Sequence, residues 1–163
     1  MVHRKRRLAV VAATALLGMA GAGAALAQLL SSPPTRENQV AAAGLDEAVN
    51  INADRIKLQT KGPTDVYVDR FTFANAGDAT PWHHHHGVGL LAVKQGRILF
   101  QSDCSSGIYG PPGSGAANGQ VFIESGEAEA VKATALEPNT VVWTTFVIPD
   151  GAPFAVPAPA PDC

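Results

Sequence analysis

From residue 51 to residue 148 the chain is a succession of short apolar runs cut by turn-forming residues, and no stretch of it keeps a helical period. Residues 51–59, 66–73, 88–93, 97–100, 121–124, 128–133 and 141–148 are rich in β-branched and aromatic side chains and read as strands. Lys61-Gly62-Pro63-Thr64-Asp65 and Asn75-Ala76-Gly77-Asp78 are turns, and Lys94-Gln95-Gly96 predicts a hairpin joining the strands on either side of it. Residues 102–119 form a Gly/Ser/Pro-rich loop, and a short helix over 41–50 is the one helical expectation. Many short strands with regular turns fold as a sandwich or closed barrel, so the expected class is all-β.

The first residues bear on compartment. Arg4, Lys5, Arg6 and Arg7 precede an uncharged Ala/Leu/Val/Gly stretch that closes on Ala25-Leu26-Ala27, the small-x-small pattern read by signal peptidases. Residues 1–27 are therefore read as a signal peptide and the protein as secreted, against the alternative of an uncleaved membrane anchor. Cleavage there would leave 163 − 27 = 136 residues, enough for one core, with eight Lys and Arg against fourteen Asp and Glu. That net charge of 8 − 14 = −6 leaves no basic patch for phosphates and argues against nucleic acid as a partner. Residues 28–45 read as a disordered linker, 46–156 as the folded domain and 157–163 as a Pro-rich extended tail.

Two cysteines, Cys104 and Cys163, form an even pair, which outside the cytoplasm reads most simply as one disulfide. Two thiols that never meet are the alternative. Such a bridge would tie the tail Pro157-Ala158-Pro159-Ala160-Pro161-Asp162 to the domain.

The stretch that carries chemistry is Gly77-Asp78-Ala79-Thr80-Pro81-Trp82-His83-His84-His85-His86-Gly87. Side chains alternate along a strand, so His83 and His85 share one face while His84 and His86 share the other. Two imidazoles pointing into a barrel can chelate one divalent ion, with Fe, Mn, Zn and Ni as candidates. A surface run of histidines with only adventitious metal affinity is the competing reading.

Gly77, the spaced pair His83-x-His85 and the downstream Gly96 resemble the first motif of the cupin superfamily. Pro81 to Gly87, Gly119-Gln120-Val121-Phe122-Ile123-Glu124 and Pro159-Ala160-Pro161-Asp162-Cys163 resemble segments of small secreted bacterial cupin-domain proteins. The resemblance runs from about Asp46 to Cys163 and implies a single jelly-roll barrel with a metal site. Three positions depart from it. The glutamate of the first motif falls at Gly89 or Leu90, and the His and Asn of the second motif fall at Glu129 and Ala133. Glu127, Glu129, Val131 and Ala133 would share one strand face, which makes Glu129 the candidate third ligand beside His83 and His85. Two His and one carboxylate with open positions form the facial triad of non-haem iron sites. A solvated Glu129 at a strand edge is the alternative.

Trp82 and Trp143 are expected in the core rather than lining a pocket, and Arg70 outward in solvent. The functional readings are a metal-dependent cupin enzyme acting on a small molecule and a non-catalytic cupin that binds a ligand or metal. No nucleophile turn and no phosphate-cradling loop accompanies them. No stable membrane anchor is expected, and a homodimer stays open.

Overall fold

The structure, a computed structural model, describes residues 32–126 and 129–163. The export segment 1–27 and Glu127 lie outside the described residues. Twelve strands and no helix are found among those described. They are β1 (Thr35–Leu45), β2 (Asn50–Ala53), β3 (Ile56–Gln59), β4 (Thr64–Phe73), β5 (His83–His84) and β6 (Val88–Gln95). β7 (Ile98–Ser102), β8 (Ser105–Tyr109), β9 (Val121–Glu124), β10 (Val131–Ala135), β11 (Thr140–Pro149) and β12 (Val156–Pro157) follow.

Eight of these pair by nesting. β7 pairs with β8, β6 with β9, β5 with β10 and β4 with β11, all antiparallel, as a long ribbon rolled upon itself would. The result is two five-stranded sheets, ordered β1-β4-β11-β6-β9 and β12-β5-β10-β7-β8. This nesting is a jelly roll.

Period-two alternation decides which side chains enter the space between the sheets. In β11 Thr140, Val142, Thr144, Phe146 and Ile148 are buried, and in β7 Ile98, Phe100 and Ser102. Phe73, Leu91, Val93, Phe122, Val131, Ala133 and Ala135 complete one apolar cluster contributed by both sheets. A fully buried Phe or Ile of this kind contributes roughly 1.5–3 kcal/mol relative to exposure.

Six expectations are corrected. Residues 35–45, read as linker, form β1, which pairs with β4; the helix over 41–50 is displaced by the same pairing, because an edge strand satisfies backbone groups that a marginal helix would have to satisfy alone. Residues 51–59 are not one strand but the hairpin β2–β3, turning at Asp54, whose φ of 49° is left-handed. Lys94-Gln95-Gly96 joins two strands that lie in different sheets, so it is a corner and not a hairpin. Gly96 makes that corner possible: its φ is 73°, and a Cβ there would stand 2.2 Å from Thr140 Oγ1. The loop 102–119 contains β8. Trp143, expected in the core, lies on the outer face with 36% of its surface exposed. Arg70 does point outward, where it pairs with Glu37 of β1.

Candidate metal centre

His83 is held on β5 by pairing to Val131 on one side and Pro157 on the other. Alternation then sets the run: the rings of His83 and His85 meet edge to face at 4.9 Å, and those of His84 and His86 at 5.9 Å on the other side. His85 is driven inward until only 2% is exposed, packed on the Phe146 ring at 4.4 Å.

The carboxylate beside them is Glu124, not Glu129. Glu124 closes β9, whose alternation buries Phe122 and Glu124 and exposes Val121 and Ile123. Glu129 precedes β10, half-buried, and its Oε2 accepts a hydrogen bond from Ser125 Oγ at 2.5 Å. The expected strand over 128–133 begins only at Val131, so the face shared by Glu129, Val131 and Ala133 does not form. The register supplies the reason for Glu124. Gly89, one of the two positions where the resemblance put the first-motif glutamate, pairs across the sheet with Glu124 on β9. A Cβ at Gly89 would stand 2.4 Å from the Phe146 ring.

Three ligand atoms converge. His83 Nε2 and His85 Nε2 are 3.1 Å apart, and Glu124 Oε2 is 2.9 Å from His85 Nε2. All three lie within 4.8 Å of one another and could hold a metal ion. The other ring nitrogens fix the tautomers: His83 Nδ1 lies 2.8 Å from Pro81 O and His85 Nδ1 2.5 Å from Phe154 O. A carbonyl oxygen only accepts, so both Nδ1 atoms carry the proton and both Nε2 atoms of the neutral rings present lone pairs. Burial pushes the His83 pKa down, against the raising effects of the Pro81 carbonyl and the Glu124 charge, with His85 and His84 lowering it further.

Two imidazole nitrogens and one carboxylate oxygen are a donor set that suits a divalent metal ion. Glu124 Oε2 is buried without a hydrogen-bond partner although His85 Nε2 is 2.9 Å away, because the contact lacks hydrogen-bond alignment. Separations of 3.1 and 2.9 Å from His85 Nε2 would let one ion be shared by His85 and each of the other two ligands. An ion held here would act as a Lewis acid toward a bound oxygen.

The three atoms open into a cavity of about 290 Å³ between the sheets. Phe71, Phe73, Leu91, Phe122, Val142 and Phe146 form its walls.

No protein-family model matches this chain, and no curated protein matches it. Similar solved structures include DMSP lyases (16% identity, TM-score 0.47, covering 58% of this chain and 44% of theirs). KdgF from Halomonas sp. is similar at 19% identity and a TM-score of 0.43, covering 50% of this chain and 68% of its own. An uncharacterized conserved protein with a double-stranded beta-helix domain from Klebsiella pneumoniae covers 77% of this chain and 80% of its own, at 16% identity and a TM-score of 0.47. The chain thus spans less than half the length of the DMSP lyase chain it matches. Strand order and His spacing, read on this chain itself, make it a cupin-like jelly roll.

Proposed function

We propose that this protein is a secreted cupin-fold protein that binds one divalent metal ion through His83, His85 and Glu124 and presents it to a small molecule in the adjoining cavity. The observation that carries this reading is the convergence of three ligand atoms, one of them a buried carboxylate oxygen with no hydrogen-bond partner. The basic, apolar and small-x-small order of residues 1–27 supports export, as does the bridge between Cys104 and Cys163. Among the described residues no helix is long and apolar enough to cross a membrane.

A second reading, binding without catalysis, is favoured by one feature of the cavity. Apart from the three ligands, none of its lining residues is a side chain that could serve as an acid or base near neutral pH. The metal reading is tested by elemental analysis of protein purified without a metal-affinity column. About one equivalent per chain is expected in the natural sequence and a large loss in Glu124→Ala and His85→Ala. Equal metal content in all three would refute the site. Turnover of a bound molecule that stops on chelation would then separate an enzyme from a binder.

A further inference from the structure

Resting on the metal reading above, we infer that the cavity selects a compact, apolar-bodied monoanion that chelates the metal, and rejects sugars, dicarboxylates and phosphorylated compounds. The lining carries this. Among the described residues, the only polar side chain besides the three ligands that faces the cavity is Thr80. Thr80 Oγ1 already accepts the Ala133 N–H at 3.0 Å, which leaves the hydroxyl proton as one free donor.

The backbone adds little. Pro33, Pro34, Pro81 and Pro157 line the cavity and have no N–H to offer. The Pro81 and Phe154 carbonyls are taken by the two imidazoles, and the Thr80 and Ala133 main chains bond each other at 2.9 Å. A polyol would bury its hydroxyls against Phe and Leu with almost no partners, and each unpaired one costs about 1–3 kcal/mol.

Charge sets the second limit. A divalent ion and the Glu124 carboxylate leave one net positive charge at the cavity floor. Among the described residues no Lys or Arg lines the cavity. Arg36 lies 3.6 Å over the ring of Phe154, one of the lining residues, and is paired to Asp69 at 2.8 Å. One negative charge is therefore balanced at the metal, and a second would sit among aromatic rings with nothing to offset it. Size agrees: about 290 Å³ is on the order of ten water volumes, room for a single ring or a short branched chain.

The test uses the full mature protein loaded with Co(II), whose visible absorption reports new ligands on the ion. Salicylate, glycolate, malonate and inorganic phosphate are titrated separately. Salicylate is expected to perturb the spectrum and to bind at least about tenfold more tightly than glycolate, which has the same charge but no apolar body; that factor is about 1.4 kcal/mol. Malonate and phosphate are expected to bind no better than glycolate. A protein that takes up Co(II) and binds malonate or phosphate as tightly as salicylate overturns the selectivity while the metal site stands. A protein that takes up no Co(II) overturns both.

Discussion

His85 donates its Nδ1 proton to the main-chain oxygen of Phe154, 2.5 Å away and 69 residues further along the chain. One bond thereby ties the buried imidazole to the segment that follows β11. The Phe154 ring packs on His85 at 5.1 Å and on Phe146 at 4.8 Å, and the Arg36 guanidinium from β1 lies over it at 3.6 Å. Arg36 is anchored in turn by Asp69, which is fully buried on β4. Two segments outside the nested eight strands, β1 and the tail, thus meet over one ligand. Ring orientation set by such an outer partner is worth about 10–100-fold in metal affinity.

Arg36→Met should accordingly do two things. It removes the cation facing a buried carboxylate, and the loss should fall at the lower end of the roughly 3–5 kcal/mol for breaking a buried pair, because Arg36 keeps 27% of its side chain exposed. It also loosens Phe154 and should weaken metal binding by about tenfold. Denaturant unfolding and metal titration on the same preparations separate the effects. Unchanged affinity in the folded variant would show that the stack over Phe154 is structural only.

Glu124→Gln keeps the volume and removes the negative charge, so metal affinity should drop by about 100-fold, the upper end of what even outer partners cost. Glu129→Gln should leave it nearly unchanged, since that carboxylate is bonded to Ser125 before β10. His84→Ala, on the opposite face, should behave like Glu129→Gln. Competition against a chromophoric chelator reads all three. A large loss in Glu129→Gln would restore that residue to the site.

How far the sequence reaches can be judged from these ligands. The His pair was legible because alternation on a strand is dictated by backbone geometry, and the run holds its face even though β5 itself is only two residues long. Glu124 was not legible. Val121-Phe122-Ile123-Glu124 offers apolar residues to both faces, so nothing local says which face is inner, and a terminal Glu is naturally read as solvated. Its role depends on the pairing with Gly89, a contact 35 residues distant (124 − 89) that no local pattern encodes. The nested strand order was implied only through the family resemblance. The Gly96 corner failed as a hairpin because turn chemistry alone does not say which sheet the next strand joins.

Cys104 sits in the turn between β7 and β8 and is bridged to Cys163 across 59 residues, with Cα atoms 5.5 Å apart. The loop it closes contains β11, Phe154 and β12. Cys104→Ser with Cys163→Ser should cost about 4 kcal/mol in the chain-entropy account. It should also weaken metal binding, because the segment after β11 that holds His85 through Phe154 loses its anchor. Thermal unfolding and metal titration of the oxidised protein and the double variant are the measurements. A change in stability with no change in affinity would separate the bridge from the site.

The pH response of the metal-free protein follows from His83. Burial lowers its folded pKa below the ordinary value of 6.5. Between the two values the unfolded chain binds more protons than the folded one. The contribution is therefore fully present above about pH 6.5 and is lost as pH falls through the folded pKa. In chelator-treated protein the unfolding midpoint should decline from pH 7.5 to pH 5, and His83→Gln should flatten that decline. In metal-loaded protein the same protons compete with the ion, so metal release should accompany acidification. A midpoint that rises on acidification would reverse the sign and contradict a buried neutral His83.

Gly89 lies opposite Phe146 of β11 in the sheet. Its missing Cβ leaves room for the Phe146 ring, which lies 4.4 Å from His85, while Glu124 pairs with Gly89 from the other side. Gly89→Ala places a methyl group 2.4 Å from that ring, too close for any rotamer to absorb, so Phe146 has to shift. Overpacking of this kind costs about 1–3 kcal/mol. Because Phe146 also packs on His85, the imidazole should move with it and metal affinity should fall even though no ligand has been touched. Phe146→Leu should lose stability on its own by leaving a void. Combined with Gly89→Ala it should lose less than the two single changes together, a coupling of about 0.5 kcal/mol or more in a double-mutant cycle. Strict additivity in stability and in affinity would show that the bare glycine and the ring over it do not act together on the site.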